Sequence, residues 1–159
     1  MSASRALTVA RALAWLLPAG AMKNRLLTRL GHRIAPRASV APNLVWDVDE
    51  FVVADGASVL SGNMIRHLGA VELGEDAMLG RFNLVSAHPA YKANYPEPNG
   101  LFLGDGAKVL NRHQLDCSAA VHVRSFASVA GHGTTVLTHG VDLGRDAQAA
   151  YPVTVGERS

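Results

Sequence analysis

The sequence predicts an all-β solenoid of parallel coils preceded by a short α-helical arm, and three observations predict it. From Ile34 onward an aliphatic residue is followed four places later by alanine: Ile34/Ala38, Val53/Ala57, Leu73/Ala77, Leu103/Ala107, Leu115/Ala119, Val123/Ala127 and Leu143/Ala147. Glycine directly follows an aliphatic residue at Gly74, Gly80, Gly104, Gly144 and Gly156, which suits a chain that bends at short, regular intervals. Before Ile34 the apolar spacing is instead three and four, the period of a helix.

The arm, residues 1–33, reads as two helices. Leu7, Ala10, Ala14 and Leu17 run up to Pro18, and Leu26, Leu27 and Leu30 run up to Gly31; proline and glycine are stop signals. Seven bases (Arg5, Arg11, Lys23, Arg25, Arg29, Arg33 and Arg37) precede the first acid, Asp47. Of 15 bases in all, eight therefore remain against 13 acids in the rest of the chain. The basic arm points to an anionic partner, a phospholipid surface rather than nucleic acid. The apolar run from Ala12 to Leu17 is far short of the ~20 residues a spanning helix needs. Arg5 and Arg11 before ALAWLLPAGA also resemble a secretory signal, but Pro18 cuts the run and the helical pattern resumes beyond it. A second role for the arm is to cap the open end of the solenoid.

Composition fits one domain. At 159 residues, 48% hydrophobic and 18% charged, the chain can bury a core and is not disordered. Scarce aromatics and 15 glycines favour a narrow core of small aliphatic side chains. The single cysteine, Cys117, cannot form an internal disulfide. A reducing compartment, and so a cytoplasmic protein touching the inner membrane surface peripherally, is expected.

Within residues 34–159 the register aligns in columns. Val53, Leu73, Leu103 and Val123 open successive coils; Val59, Leu79, Val109 and Val129 stand six places on, and Ile65, Val85, Leu115 and Thr135 twelve places on. Asn63, Asn83, His113 and Gly133 share a further column, in which Asn63 and Asn83 read as a structural ladder, while His113, with His132 of the next coil, either positions an acceptor or hydrogen-bonds within the stack. Two insertions interrupt the repeat. One, near 87–101, contains Tyr91, Lys92 and Tyr95 among three prolines; the other, near 142–152, follows His139 and ends at the return Tyr151-Pro152-Val153-Thr154-Val155-Gly156. LGRDAQ at 143–148 also fits the repeat, so an uninterrupted coil there is the competing reading. Loops that break a solenoid commonly carry its binding residues.

Units such as LGEDAM and LGDGAK, of the form [LIV]-G-x-x-A-x, resemble the hexapeptide-repeat acyltransferases over roughly Ile34 to Ser159. That resemblance implies a left-handed parallel β-helix, a handedness the repeat alone does not supply. The segment THGVDLGRDAQAAYPVTVGERS is similar to the stretch of sugar O-acetyltransferases in which a catalytic histidine precedes a loop and a P-[IV]-x-[IV]-G return. NRHQLDCSAAV, ASVAGH and VLTHGVDL look most like the branch that modifies polysaccharides. The resemblance implies transfer of an acetyl group from acetyl-CoA to a sugar hydroxyl, with His139 as general base, and a homotrimer whose sites form between subunits. Family members continue for several coils after the return, so a shortened chain lacking part of the CoA groove is also expected.

The chemistry asks for such residues. Acyl transfer from a thioester to an alcohol needs a base near neutrality, which becomes the acid for the leaving thiolate. No enzyme nucleophile is required, so Cys117 reads as a buried hydrophobe. His113, His132, Asp116, Tyr91 and Tyr95 are candidate acceptor contacts; Asp116 and Asp142 are also candidates to orient a histidine. Arg145, Arg158 and Gly156 are candidates to hold the CoA moiety. No metal is expected. His88, His113, His122, His132 and His139 raise a zinc carbonic-anhydrase-like alternative, since left-handed β-helices include such enzymes, but their spacing gives no tight trio. A non-catalytic scaffold is the remaining alternative.

Overall fold

The computed structural model describes residues 3–91, 98–144 and 146–159. Helices α1 (Ala3–Trp15) and α2 (Ala21–Arg29) precede a β-helix-like stack of parallel strands.

Three strand columns make the stack. Arg33–Ile34 pairs with the end of Leu44–Val53, which pairs with the end of Met64–Leu73, followed by Gly100–Leu103, Val121–Val123 and Val153–Val155. Ser39–Val40, Ser58–Val59, Met78–Leu79, Lys108–Asn111 and Ser128–His132 form the second column. The third runs from the starts of Leu44–Val53 and Met64–Leu73 through Leu84–Ser86 and Gln114–Asp116 to Thr135–Val136. The two long strands pass from the third column to the first, each turning where Asp47 (φ 53°) and His67 (φ 61°) take left-handed backbone.

Alternation turns one residue in two inward at each strand. Val53, Leu73, Leu103 and Val123 fill one wall of the core; Val59, Leu79 and Val109 the second; Ile65, Val85 and Leu115 the third, all at most 3% exposed. Ala57, Ala77, Ala107 and Ala127 are fully buried at one corner, where a larger side chain would have no room. At the corners an aromatic ring lies over the glycine of the coil below: a Cβ on Gly106 would come within 2.6 Å of the Phe126 ring, and one on Gly62 within 2.5 Å of the Phe82 ring.

A polar ladder runs beside the apolar columns. Asn63 donates from its backbone N–H (2.8 Å) and Nδ2 (3.0 Å) to Asn43 Oδ1, Asn83 does the same to Asn63 Oδ1, and the His113 N–H donates to Asn83 Oδ1. Each buried amide thus satisfies the coil above it.

The register slips between Val129 and His132. Val109 pairs with Val129, but Asn111 pairs with His132 and Leu115 with Val136, so Val136 and not Thr135 continues the third column. Gly131 (φ 80°) and Gly133 (φ 72°) provide the backbone freedom for the extra residue. The chain then leaves the stack: His139–Asp142 and Ala147–Ala150 form an antiparallel hairpin with Leu143 90% exposed at its tip. Val155, and not Leu143, pairs with Val123, which rules out an uninterrupted coil through LGRDAQ.

The helices close the other end. Trp15 is fully buried, its ring 4.4 Å from Phe51 and 6.1 Å from His32. Lys23, 1% exposed, donates to the carbonyls of Trp15 (2.7 Å), Leu17 (2.9 Å) and Ala41 (2.9 Å), ending α1 and tying it to the first coil. Burial pushes its ammonium down to about 8, while three carbonyl partners favour its charged form. Gly31 (φ 95°) stops α2: His32 N–H bonds to Leu27 O and Gly31 N–H to Thr28 O, a Schellman closure. Arg11 reaches across from α1 to take the Leu30 carbonyl at 2.8 Å.

Candidate functional site

Asp116 ends the third-column strand Gln114–Asp116 and is 9% exposed. The register slip and the first residues of the hairpin bring Thr138 and His139 onto it. Oδ2 accepts from Thr138 N–H (3.0 Å), Thr138 Oγ1 (2.9 Å), His139 N–H (3.1 Å) and His139 Nδ1 (2.7 Å). Oδ1 accepts from Ser118 Oγ at 2.7 Å. Burial pushes the Asp116 carboxyl upward, but the hydrogen bonds from Ser118, His139 and Thr138 together outweigh it and hold the group below its ordinary value. Asp116 is therefore a carboxylate and can only accept, which places a proton on His139 Nδ1 and turns Nε2 to the far side of the ring from it. The His139 side chain is 44% exposed.

The first insertion packs against this pair. Tyr91, in the short turn Pro89–Tyr91, lies with its ring 5.9 Å from that of His139 and its hydroxyl 3.4 Å from Gln148 Oε1. His88 is 6.2 Å from Tyr91, edge to face, and its N–H donates to Ser118 Oγ at 3.2 Å. Ser118 thus joins the insertion to the carboxylate that holds the histidine. Thr138 Oγ1 serves similarly, donating to Asp116 and accepting from Ala119 N–H at 3.0 Å.

A cavity of about 380 Å³ opens between the hairpin and the return, with His139, Val141 and Asp142 on one side and Ala149, Tyr151 and Pro152 on the other. It is large enough for a group the size of a monosaccharide or the thioester end of a pantetheine. Exposed Leu137 (63%), Val141 (65%) and Tyr151 (61%) give it an apolar rim.

The other sequence candidates disperse. Asp116 lies beneath His139 instead of facing the cavity. His113, 1% exposed, is the top rung of the asparagine ladder and accepts from Thr134 N–H at 3.2 Å. Burial lowers its pKa, with the Val129 carbonyl opposing and His132 adding to the shift. His132 is exposed in the second column, opposite Asn111. Gly156 and Arg158 follow the return strand; Arg158 turns the corner with φ 58° and its N–H bonds to Ser125 O. Tyr95, Lys92 and Arg145 lie outside the described residues. Cys117 is fully buried, and burial followed by the Asp116 charge pushes its thiol up. Among the described residues no three His, Cys, Asp or Glu side chains converge on a metal position. Ser118, Thr138 and Gln148 escape sequence reasoning; the only signal for the first two is adjacency, Ser118 two places after Asp116 and Thr138 directly before His139.

Comparison with protein-family models gave no match, and neither curated proteins nor solved structures gave one.

Proposed function

We propose that the protein is a left-handed β-helix acyltransferase that moves an acetyl group from acetyl-CoA to a sugar hydroxyl, on a surface polysaccharide or its precursor. The observation that carries the reading is the 2.7 Å bond from His139 Nδ1 to a buried carboxylate, beside a cavity where the repeat breaks. The resemblance of the hexapeptide units supplies the hand of the coil and the donor.

In this reading the acceptor hydroxyl gives its proton to His139 Nε2 as its oxygen attacks the thioester carbonyl. Asp116 stabilises the imidazolium that forms. The tetrahedral intermediate then collapses, the C–S bond breaks, and Nε2 returns the proton to the leaving thiolate. Tyr91 fixes the plane of the imidazole, and the exposed Tyr151 ring is a surface on which a sugar face stacks. The homotrimer belongs to the same reading: Leu143, Val141 and Leu137 form an apolar edge that a neighbouring copy would cover.

The test is thiol release from acetyl-CoA in the presence of a panel of mono- and oligosaccharides, followed by mass analysis of the acceptor. Acceptor-dependent release with an acetylated sugar supports the reading. Absence of release with every acceptor, from a chain that binds acetyl-CoA, would overturn it.

A further inference from the structure

We propose that the helical arm docks on an anionic phospholipid bilayer, using the outer face of α1 and the face of α2 that carries Met22, Arg25 and Arg29. This stands apart from the acyl-transfer reading, and neither depends on the other.

Helix α1 is apolar on both sides. Its inner face supplies Ala14 and Trp15 to the core, while Leu13 on its outer side is 62% exposed and Leu16, one residue past its end, 51%. Across the turn Met22 is 78% exposed. At ~100° per residue Met22, Arg25 and Arg29 fall within about 60° of one another on α2, so an exposed apolar side chain shares that face with two cations. Beside them lies a groove of about 430 Å³ walled by Arg25, Thr28 and Arg29 and floored by Ile34 and Pro36. Guanidinium forks at the mouth of an apolar groove match a phosphate attached to an acyl body.

Charge decides the occupant. Residues 1–46 contain no acid. Of the acids nearest the arm, Glu50 pairs with Arg33 and Asp47 with His67, each at 2.9 Å, and Asp47 and Asp49 line a small cavity with Arg11. Arg25, Arg29 and Arg37 remain exposed. A second copy seated on the same face would set these arginines against themselves, whereas an anionic leaflet is complementary to them. With 13 and 9 residues, and with no described helix long and apolar enough to cross, the arm lies in the interface plane.

The experiment is co-sedimentation of the full chain with vesicles of phosphatidylcholine alone and of phosphatidylcholine mixed with phosphatidylglycerol. The chain is expected to pellet with the mixed vesicles only. Arg25→Ala with Arg29→Ala should lower the partition coefficient about thirtyfold, and Leu13→Glu with Leu16→Glu at least about tenfold, with unchanged circular dichroism in both because all four side chains are exposed. Equal binding to both vesicle types, or none to either, overturns the proposal. So does self-association that Leu13→Glu with Leu16→Glu abolishes in a chain that ignores vesicles, since the face would then belong to a second copy.

Discussion

His139 donates from Nδ1 to Asp116 across 2.7 Å, and the same carboxylate oxygen takes the backbone N–H of His139 at 3.1 Å. One acid therefore fixes both the place and the tautomer of the imidazole. Replacing it by asparagine keeps the shape and allows the amide to present N–H where oxygen stood. Asp116→Asn should lower kcat about a hundred- to ten-thousandfold with little change in KM. Steady-state kinetics check this, and a loss confined to KM would show that Asp116 binds acceptor instead.

Acid should weaken the same network. The Asp116 pKa is held below its ordinary value, so its stabilising contribution is complete above the unfolded range of about 4 and is lost as pH falls through the depressed folded value. Urea unfolding of the wild type and of Asp116→Asn, followed from neutrality into acid, should give stabilities that converge as the carboxylate protonates.

His32 titrates from the other end of the molecule. It is 2% exposed, neither ring nitrogen meets a hydrogen-bond partner among the described residues, and burial with the Arg11 charge holds it down to about 4. The unfolded chain protonates near 6.5. Between these values the unfolded state binds the extra proton, so stability is full above about 6.5 and declines as pH falls toward 4, by about 3 kcal/mol in all. His32→Phe should flatten that part of the pH–stability curve. An unchanged slope would mean that the ring is reached by solvent.

The asparagine ladder should be costly to interrupt. Asn63 Nδ2 donates to Asn43 Oδ1, to Leu60 O (2.7 Å) and to Gly80 O (2.8 Å), and its Oδ1 receives Asn83. Asn63→Ala leaves several buried groups without partners, at about 1–3 kcal/mol each before relaxation. We expect a total loss of about 3 kcal/mol in urea unfolding; a loss below about 1 kcal/mol would show that water replaces the rung.

Lys23 bears a similar burden at the cap. Lys23→Met keeps the aliphatic stem but strips the carbonyls of Trp15, Leu17 and Ala41 of their shared donor. A destabilisation of about 2–4 kcal/mol is expected, together with faster amide exchange in α1 than in the coils.

The parts of the fold that obey a strict period were legible in the sequence. Val53, Leu73, Leu103 and Val123 reveal themselves because each must fill the same prism wall, and Asn63 and Asn83 because each must bond the coil above. The site was less legible, since it is built by departures from the period. Asp116 and His139 are 23 residues apart, and their meeting depends on a slip that Gly131 and Gly133 permit and that the sequence marks only by the polar Thr135 in an otherwise aliphatic column. The sequence register carried His139 to the last corner of a coil, before a loop near 142–152; the structure has it opening the antiparallel hairpin. Lys23 is one of the seven bases that give the arm its charge, yet it is buried, because its partners are backbone carbonyls that no side-chain pattern discloses.

The most direct measurement of the central claim is acetyl transfer by His139→Ala beside the wild type, under saturating acetyl-CoA and the best acceptor found. A fall in kcat of about a hundred- to ten-thousandfold with acetyl-CoA binding intact is the expected result. Activity equal to that of the wild type would contradict the assignment of His139 as the base.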